Sequence, residues 1–111
     1  MTTLQWLGRS RLRLDAPEKL RGRARYVADI LRSDVLHARL VLSPHAHARI
    51  RNIRTAAAER VPGVVAVLTD DDLEPRGLLA GDEVFYVGQP VAVVVADDEA
   101  TAEDAAELVD V

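Results

Sequence analysis

Tyr86-Val87-Gly88-Gln89-Pro90-Val91-Ala92-Val93-Val94-Val95-Ala96 is the most apolar stretch of the chain, and valine fills most of positions 91–96. Gly88-Gln89-Pro90 bounds the run on one side and Asp97-Asp98 on the other. This pattern predicts a strand buried on both faces, with the other elements arranged to cover it. A helix is the poorer reading, because Val loses rotamer freedom in a helix and Pro90 blocks helical continuation.

Working outward, Val64-Val65-Ala66-Val67-Leu68 follows the Pro62-Gly63 break and reads as a second buried strand. Residues 35–42 read as a third, closed by Ser43-Pro44. Strand alternation puts Leu36, Ala38, Leu40 and Leu42 on one uniformly apolar face, which is expected to point to the core. Val35, His37, Arg39 and Val41 take the other face. Ala48-Arg49-Ile50-Arg51-Asn52-Ile53-Arg54 alternates next, with Ile50 inward and the arginines on a solvated or interface-facing side. The Ile50-to-Ile53 spacing calls for a bulge or strand end near Asn52.

Helices fill the gaps. Thr55 caps a short one over residues 56–61, and Asp97-Asp98 cap a last one from Glu99 to about Val109. Ala102, Ala105, Ala106 and Val109 recur on one face of that helix and suit close packing on a sheet. Thr69-Asp70-Asp71-Asp72 is a capping-box pattern with Asp in place of Glu. Val84-Phe85-Tyr86-Val87 is a candidate short strand turning at Gly88. Residues 1–34 read as irregular and extended, with one helical turn at Asp15-Ala16-Pro17-Glu18-Lys19-Leu20 and Asp15 as its cap. Such a lead wraps a neighbouring body more readily than it folds alone.

At 111 residues, with 49% apolar and 29% charged, the composition is that of one soluble globular domain. There is no cysteine, which excludes disulfides and thiolate metal sites. Residues 1–7 carry no basic region followed by an apolar segment, so no secretory signal is expected, and a soluble cytoplasmic protein is the default. The net charge of −4 conceals a split: +8 over residues 1–60 and −12 over residues 61–111. An arginine-rich half raises the alternative of a free-standing module binding an anionic partner such as nucleic acid. Trp6 and Tyr26 are its only aromatics, too few for a base-stacking platform, so nucleic acid is not the expected partner.

Chemistry is sparse. His45-Ala46-His47 has the spacing that places two imidazoles on one side of an extended strand, and zinc could use that pair with a third ligand. No neighbouring carboxylate or cysteine completes the set, so surface histidines are expected. The Asp70-Asp71-Asp72 cluster lacks the later ligands and glycine of a calcium loop. Neither phosphate-binding glycine motif occurs. The residues alone describe a non-catalytic α+β domain: no catalytic, cofactor-binding or metal residue is assigned.

Four stretches together resemble a known family. Asp15-Ala16-Pro17-Glu18-Lys19-Leu20-Arg21-Gly22-Arg23-Ala24-Arg25-Tyr26-Val27-Ala28-Asp29 is similar to the lead-in of the molybdenum-binding large subunit of xanthine dehydrogenases and aldehyde oxidases. Ser43-Pro44-His45-Ala46-His47-Ala48-Arg49-Ile50, Pro62-Gly63-Val64-Val65-Ala66-Val67-Leu68-Thr69 and Val87-Gly88-Gln89-Pro90-Val91-Ala92 are similar to successive motifs of its N-terminal α/β hammerhead domain. The resemblance implies a small mixed sheet with two or three short helices over residues 31–111, preceded by an extended lead over residues 1–30. It implies a structural and assembly role in a molybdenum hydroxylase. Its partners would be the remaining large-subunit domains and an iron–sulfur subunit, with no membrane partner. The family uses molybdopterin cytosine dinucleotide or a related molybdenum cofactor, with iron–sulfur clusters and FAD on partner subunits or domains. The family's cofactor loops and catalytic glutamate lie downstream of the hammerhead, so this segment is expected to bind none of these groups. Gln89 is expected to stabilise its turn through its side-chain amide.

Overall fold

The computed structural model of the chain describes residues 6–30 and 32–111. The segment read above for a signal lies mostly outside the described residues, as does residue 31, where the domain is expected to begin. Two compact units divide at Ser33 and Asp34.

Unit 1 is built from local contacts. Helix α1 spans Ala16–Leu20, with Pro17 in its first turn and no buried residue. Asp15 stands at the N-cap but makes no side-chain cap hydrogen bond. Its carboxylate pairs instead with Arg13 and with Lys19 one turn on, the latter at 3.1 Å. Those two cations, Arg13 first, lower its pKa from the usual 3.8. Val27–Asp29 forms a single 3-10 turn whose Asp29 carboxylate accepts from the Tyr26 amide at 2.9 Å. Leu12, Leu14, Leu20 and Val27 are all largely exposed, and none of the described residues of this unit is buried.

Unit 2 holds strands β1 His37–Leu42, β2 Ala48–Arg49, β3 Val64–Leu68, β4 Glu83–Val84 and β5 Pro90–Ala96. Helices α2 Ala56–Glu59 and α3 Glu99–Glu107 complete it. The strands make two sheets, β1-β5-β3 and β2-β4. Every described pairing is antiparallel, where one mixed sheet was expected. The valine run occupies the central strand, as its composition requires. The run is shorter than its apolar stretch, because residues 85–89 form the turn between β4 and β5. The candidate strand over 84–87 is therefore reduced to Glu83–Val84.

Alternation along β5 sorts the core. Ala92 and Val94 are fully buried and join Ala58, Ala105 and Val109 in one cluster, with Val41, Val64 and Val67 against it. Alanine on α3 permits that helix to lie close on β1 and β5. The opposite face is covered only at its start. Val91 is fully buried against Ala80 and Val84, with Ala48, Ile50 and Ile53 around them. Val93 and Val95 beyond it are half-buried. Burial on both faces thus holds for the first residues of the strand and not for its second half.

The face expected for β1 is inverted. Val41 packs into the helix-covered cluster, and Arg39 on the same side reaches Glu103 of α3 at 2.9 Å. Leu36, Leu40 and Leu42 are 52%, 48% and 51% exposed. Leu40 sits opposite Val93, and Leu68 of β3 also pairs with Val93. The apolar side of β1 therefore continues across the sheet as an open surface. A long side chain lets the mixed face accept a helix: Arg39 carries its charge out to the helix rim, where it pairs with Glu103.

The capping assignments hold in part. Asp98 caps α3, accepting from the Thr101 amide at 2.9 Å and its hydroxyl at 2.6 Å. These bonds, the hydroxyl's first, lower the Asp98 pKa below 3.8. Thr69 and Asp72 form the capping box, but it starts a 3-10 turn, Asp70–Asp72. Thr55 precedes α2 without a side-chain cap bond; its hydroxyl donates to Glu59 at 2.6 Å.

Candidate functional site

The stretch 43–54 gathers the histidines and arginines singled out above. Ser43 is buried, its hydroxyl donating to the His45 carbonyl and accepting from the His45 amide, both at 3.1 Å. Its amide donates to the Gln89 carbonyl at 2.9 Å, and its carbonyl accepts from the Gly88 amide at 2.8 Å. The Ser43-Pro44 corner and the Gly88-Gln89 turn are therefore locked side by side. Within the turn, the Gln89 side-chain oxygen accepts from the Phe85 amide at 2.7 Å, so this residue does stabilise the turn. Gly88 adopts φ +85°, a left-handed conformation that favours glycine.

The two histidines do not converge. His47 stacks on Phe85 with ring centroids 5.4 Å apart and lies 3.8 Å from the Glu83 carboxylate. His45 instead lines a cleft with Leu42, Arg49 and Arg51. Among the described residues no three His, Asp or Glu side chains come together as a metal-ligand set. The aspartates of the acidic turn are each engaged separately. Asp70 accepts from the Gly77 amide at 2.7 Å, Asp71 pairs with Arg76 at 2.9 Å, and Asp72 accepts from Thr69.

Arg49 and Arg51 project from the end of β2 and the irregular segment after it, as the alternation predicts. Regular pairing stops at Arg49, earlier than the expected break near Asn52. Arg54 is drawn across to Asp110: the two backbones exchange hydrogen bonds and the side chains form an ion pair. The cleft beside them measures about 420 Å³, with Leu42, Val84 and Val91 on its apolar side. Nothing in this arrangement supplies a nucleophile beside a base. Among the described residues no buried side-chain polar atom is left without a partner, and the cleft opens between exposed guanidinium groups.

Residues 21–111 match the family described as aldehyde oxidase and xanthine dehydrogenase, a/b hammerhead domain. The chain belongs to this family. Its two locked corners, Ser43-Pro44 and Gly88-Gln89, are thereby features of a hammerhead domain. The chain is 42% identical to the carbon monoxide dehydrogenase large chain of Afipia carboxidovorans, across 97% of this chain and 15% of the relative. It is 40% identical to the nicotine 6-hydroxylase large subunit of Paenarthrobacter nicotinovorans, across 93% and 15%. Among solved structures, quinoline 2-oxidoreductase from Pseudomonas putida 86 superposes with a TM-score of 0.79 at 40% identity, covering 93% of this chain and 15% of that one. A Cu,Mo-CO dehydrogenase gives 0.81 at 39%, covering 96% and 15%. The hammerhead chain thus spans about 15% of the length of these relatives. No described helix is long and apolar enough to cross a membrane.

Two features escaped the sequence reading. The acceptor role of Asp70 is invisible because Gly77 and Leu79 reach it from a loop without periodicity. The open side of the sheet was hidden because alternation identifies a uniform face and not what covers it.

Proposed function

We propose that this chain is the hammerhead part of a molybdenum hydroxylase large subunit and that its role is structural, serving assembly with the domains that hold the cofactor. The observation that carries this reading is the hammerhead match over residues 21–111. A second fact supports a scaffold over a specificity element. Identity is nearly the same to a carbon monoxide dehydrogenase and to a nicotine hydroxylase, whose names denote unlike substrates. A segment that chose the substrate would favour one of them. The remaining large-subunit domains and an iron–sulfur subunit are the proposed partners, and residues 1–30 the lead that engages them. The molybdenum cofactor, the iron–sulfur clusters and the FAD belong in this proposal to those partners, and the segment itself has no catalytic residue.

Co-expression with the rest of a large subunit tests the reading. A stable complex is expected, and no association at micromolar concentration would refute it. Purified alone, the chain should carry no stoichiometric molybdenum and should hydroxylate nothing. The nucleic-acid alternative is weakened because Arg13, Arg39 and Arg54 are engaged by carboxylates within the chain.

A further inference from the structure

We infer that the open side of the β1-β5-β3 sheet is the surface by which this chain docks onto the remainder of the large subunit, and that the occupant is an apolar protein layer of that remainder. The inference rests on the assembly role proposed above and adds the surface. Leu36, Leu40 and Leu42 stand about half exposed on β1 and just before it, beside half-buried Val93 and Val95 on β5 and Leu68 on β3. The intervening positions on this side, Ala38 and Ala66, are also apolar, so no charge or hydrogen-bonding side chain interrupts the three strands. A contiguous uncharged face of this kind marks a protein interface, and strands apolar at every position, as β3 and β5 are, are built to be covered on both sides.

Charge selects the occupant. The strand ends carry carboxylates: Asp97 and Asp98 follow β5, and Asp70, Asp71 and Asp72 follow β3. Two copies of the chain meeting through this sheet would bring like-charged rims together. Nucleic acid is repelled by the same carboxylates, and the nearest cations, Arg49 and Arg51, stand in the cleft at the Leu42 end and not on the three strands. A membrane is disfavoured by the same carboxylates, which anionic headgroups repel. An apolar protein layer outside these 111 residues remains. The relatives supply one, since the same fold occupies 15% of the carbon monoxide dehydrogenase chain and the rest of that chain is available to cover it.

The test places this chain in the full-length carbon monoxide dehydrogenase large chain of Afipia carboxidovorans, in place of the matching segment. Leu40→Asp and Leu42→Asp are made both there and in the isolated 111-residue chain, with Glu107→Lys, at an exposed position in the last turn of α3, as control. In the isolated chain both aspartates should leave circular dichroism near the parent spectrum and lower the urea midpoint only modestly, by about as much as truncating the same leucine to alanine, because each leucine is already half open to water. In the chimera each should lower the soluble, assembled yield by on the order of tenfold or more, since the charge must be buried unpaired. Glu107→Lys should leave both proteins unchanged. A parent chimera that fails to assemble would overturn the assembly reading itself. A chimera that assembles and tolerates both aspartates would leave that reading standing and overturn the docking surface. A dimer of the isolated chain that Leu40→Asp dissociates would overturn the occupant.

Discussion

Val94→Ala and Leu40→Ala, compared in the isolated chain, test which side of the sheet is the core. Val94 is fully buried beneath α2 and α3, and Leu40 is 48% exposed. Truncating valine removes two methyl groups from a dry site, worth about 1.6 kcal/mol in transfer, and leaves a void whose lining loses contacts. The surrounding alanines, Ala58, Ala92 and Ala105, have no side-chain freedom with which to fill it. The expected cost is therefore roughly 2–3 kcal/mol, or a fall of about 10 °C in melting temperature for a domain of this size. Leucine loses more carbon on truncation, but at Leu40 about half of it is already in water and no closed void forms, so about 1 kcal/mol is expected. Urea unfolding followed by far-ultraviolet circular dichroism measures both. If the sequence-based orientation of β1 were correct, Leu40→Ala would be a buried leucine truncation costing about 3–5 kcal/mol and the order would reverse. A larger loss at Leu40 than at Val94 would refute the inverted face.

Glycine substitutions separate backbone strain from crowding. Gly88→Ala meets nothing within 4 Å but keeps φ +85°, so about 1 kcal/mol is expected; Gly63→Ala, at φ +94° with a new Cβ 3.3 Å from the Thr101 methyl, should cost more. Asp98→Ala should lower the urea midpoint by removing both bonds from Thr101 at the start of α3, and Asp98→Ser should recover much of the loss. Asp72 and Asp98 have folded-state pKa values below the usual 3.8, Asp72 chiefly through the Thr69 amide and Asp98 chiefly through the Thr101 hydroxyl. A depressed carboxyl binds its proton more weakly when folded. Its contribution is complete above about pH 4, declines below it, and is gone once pH falls beneath the folded value; Asp72→Asn should flatten that acid limb. Arg39→Ala should cost below about 0.5 kcal/mol, because its pair with Glu103 is more than half exposed on both sides. No salt-dependent binding of DNA or RNA is expected at low ionic strength, and a steep salt slope would revive the nucleic-acid alternative.

What could be read in advance was whatever depends on local pattern. The valine run, the 62–63 break, the alanine stripe of α3 and the Asp98 cap each follow from neighbours within about one helical turn or one strand. The orientation of β1 could not be read, because Leu36-His37-Ala38-Arg39-Leu40-Val41-Leu42 offers two faces and burial chooses between them through distant residues. Here Ala58, Ala105 and Val109 sit over Val41, while Leu40 has only the half-buried Val93 beside it on β5. A rule that sends the more apolar face inward fails when the chain carries more apolar surface than its own helices can cover. That failure is informative in itself. Polar substitutions at Leu36, Leu40 and Leu42 would cost an isolated domain little, yet all three positions are leucine. Their apolarity makes physical sense if the face is satisfied by something beyond these 111 residues. In that case the apolar run of β5 has two tasks, and only the first, holding α2 and α3, is completed within the chain.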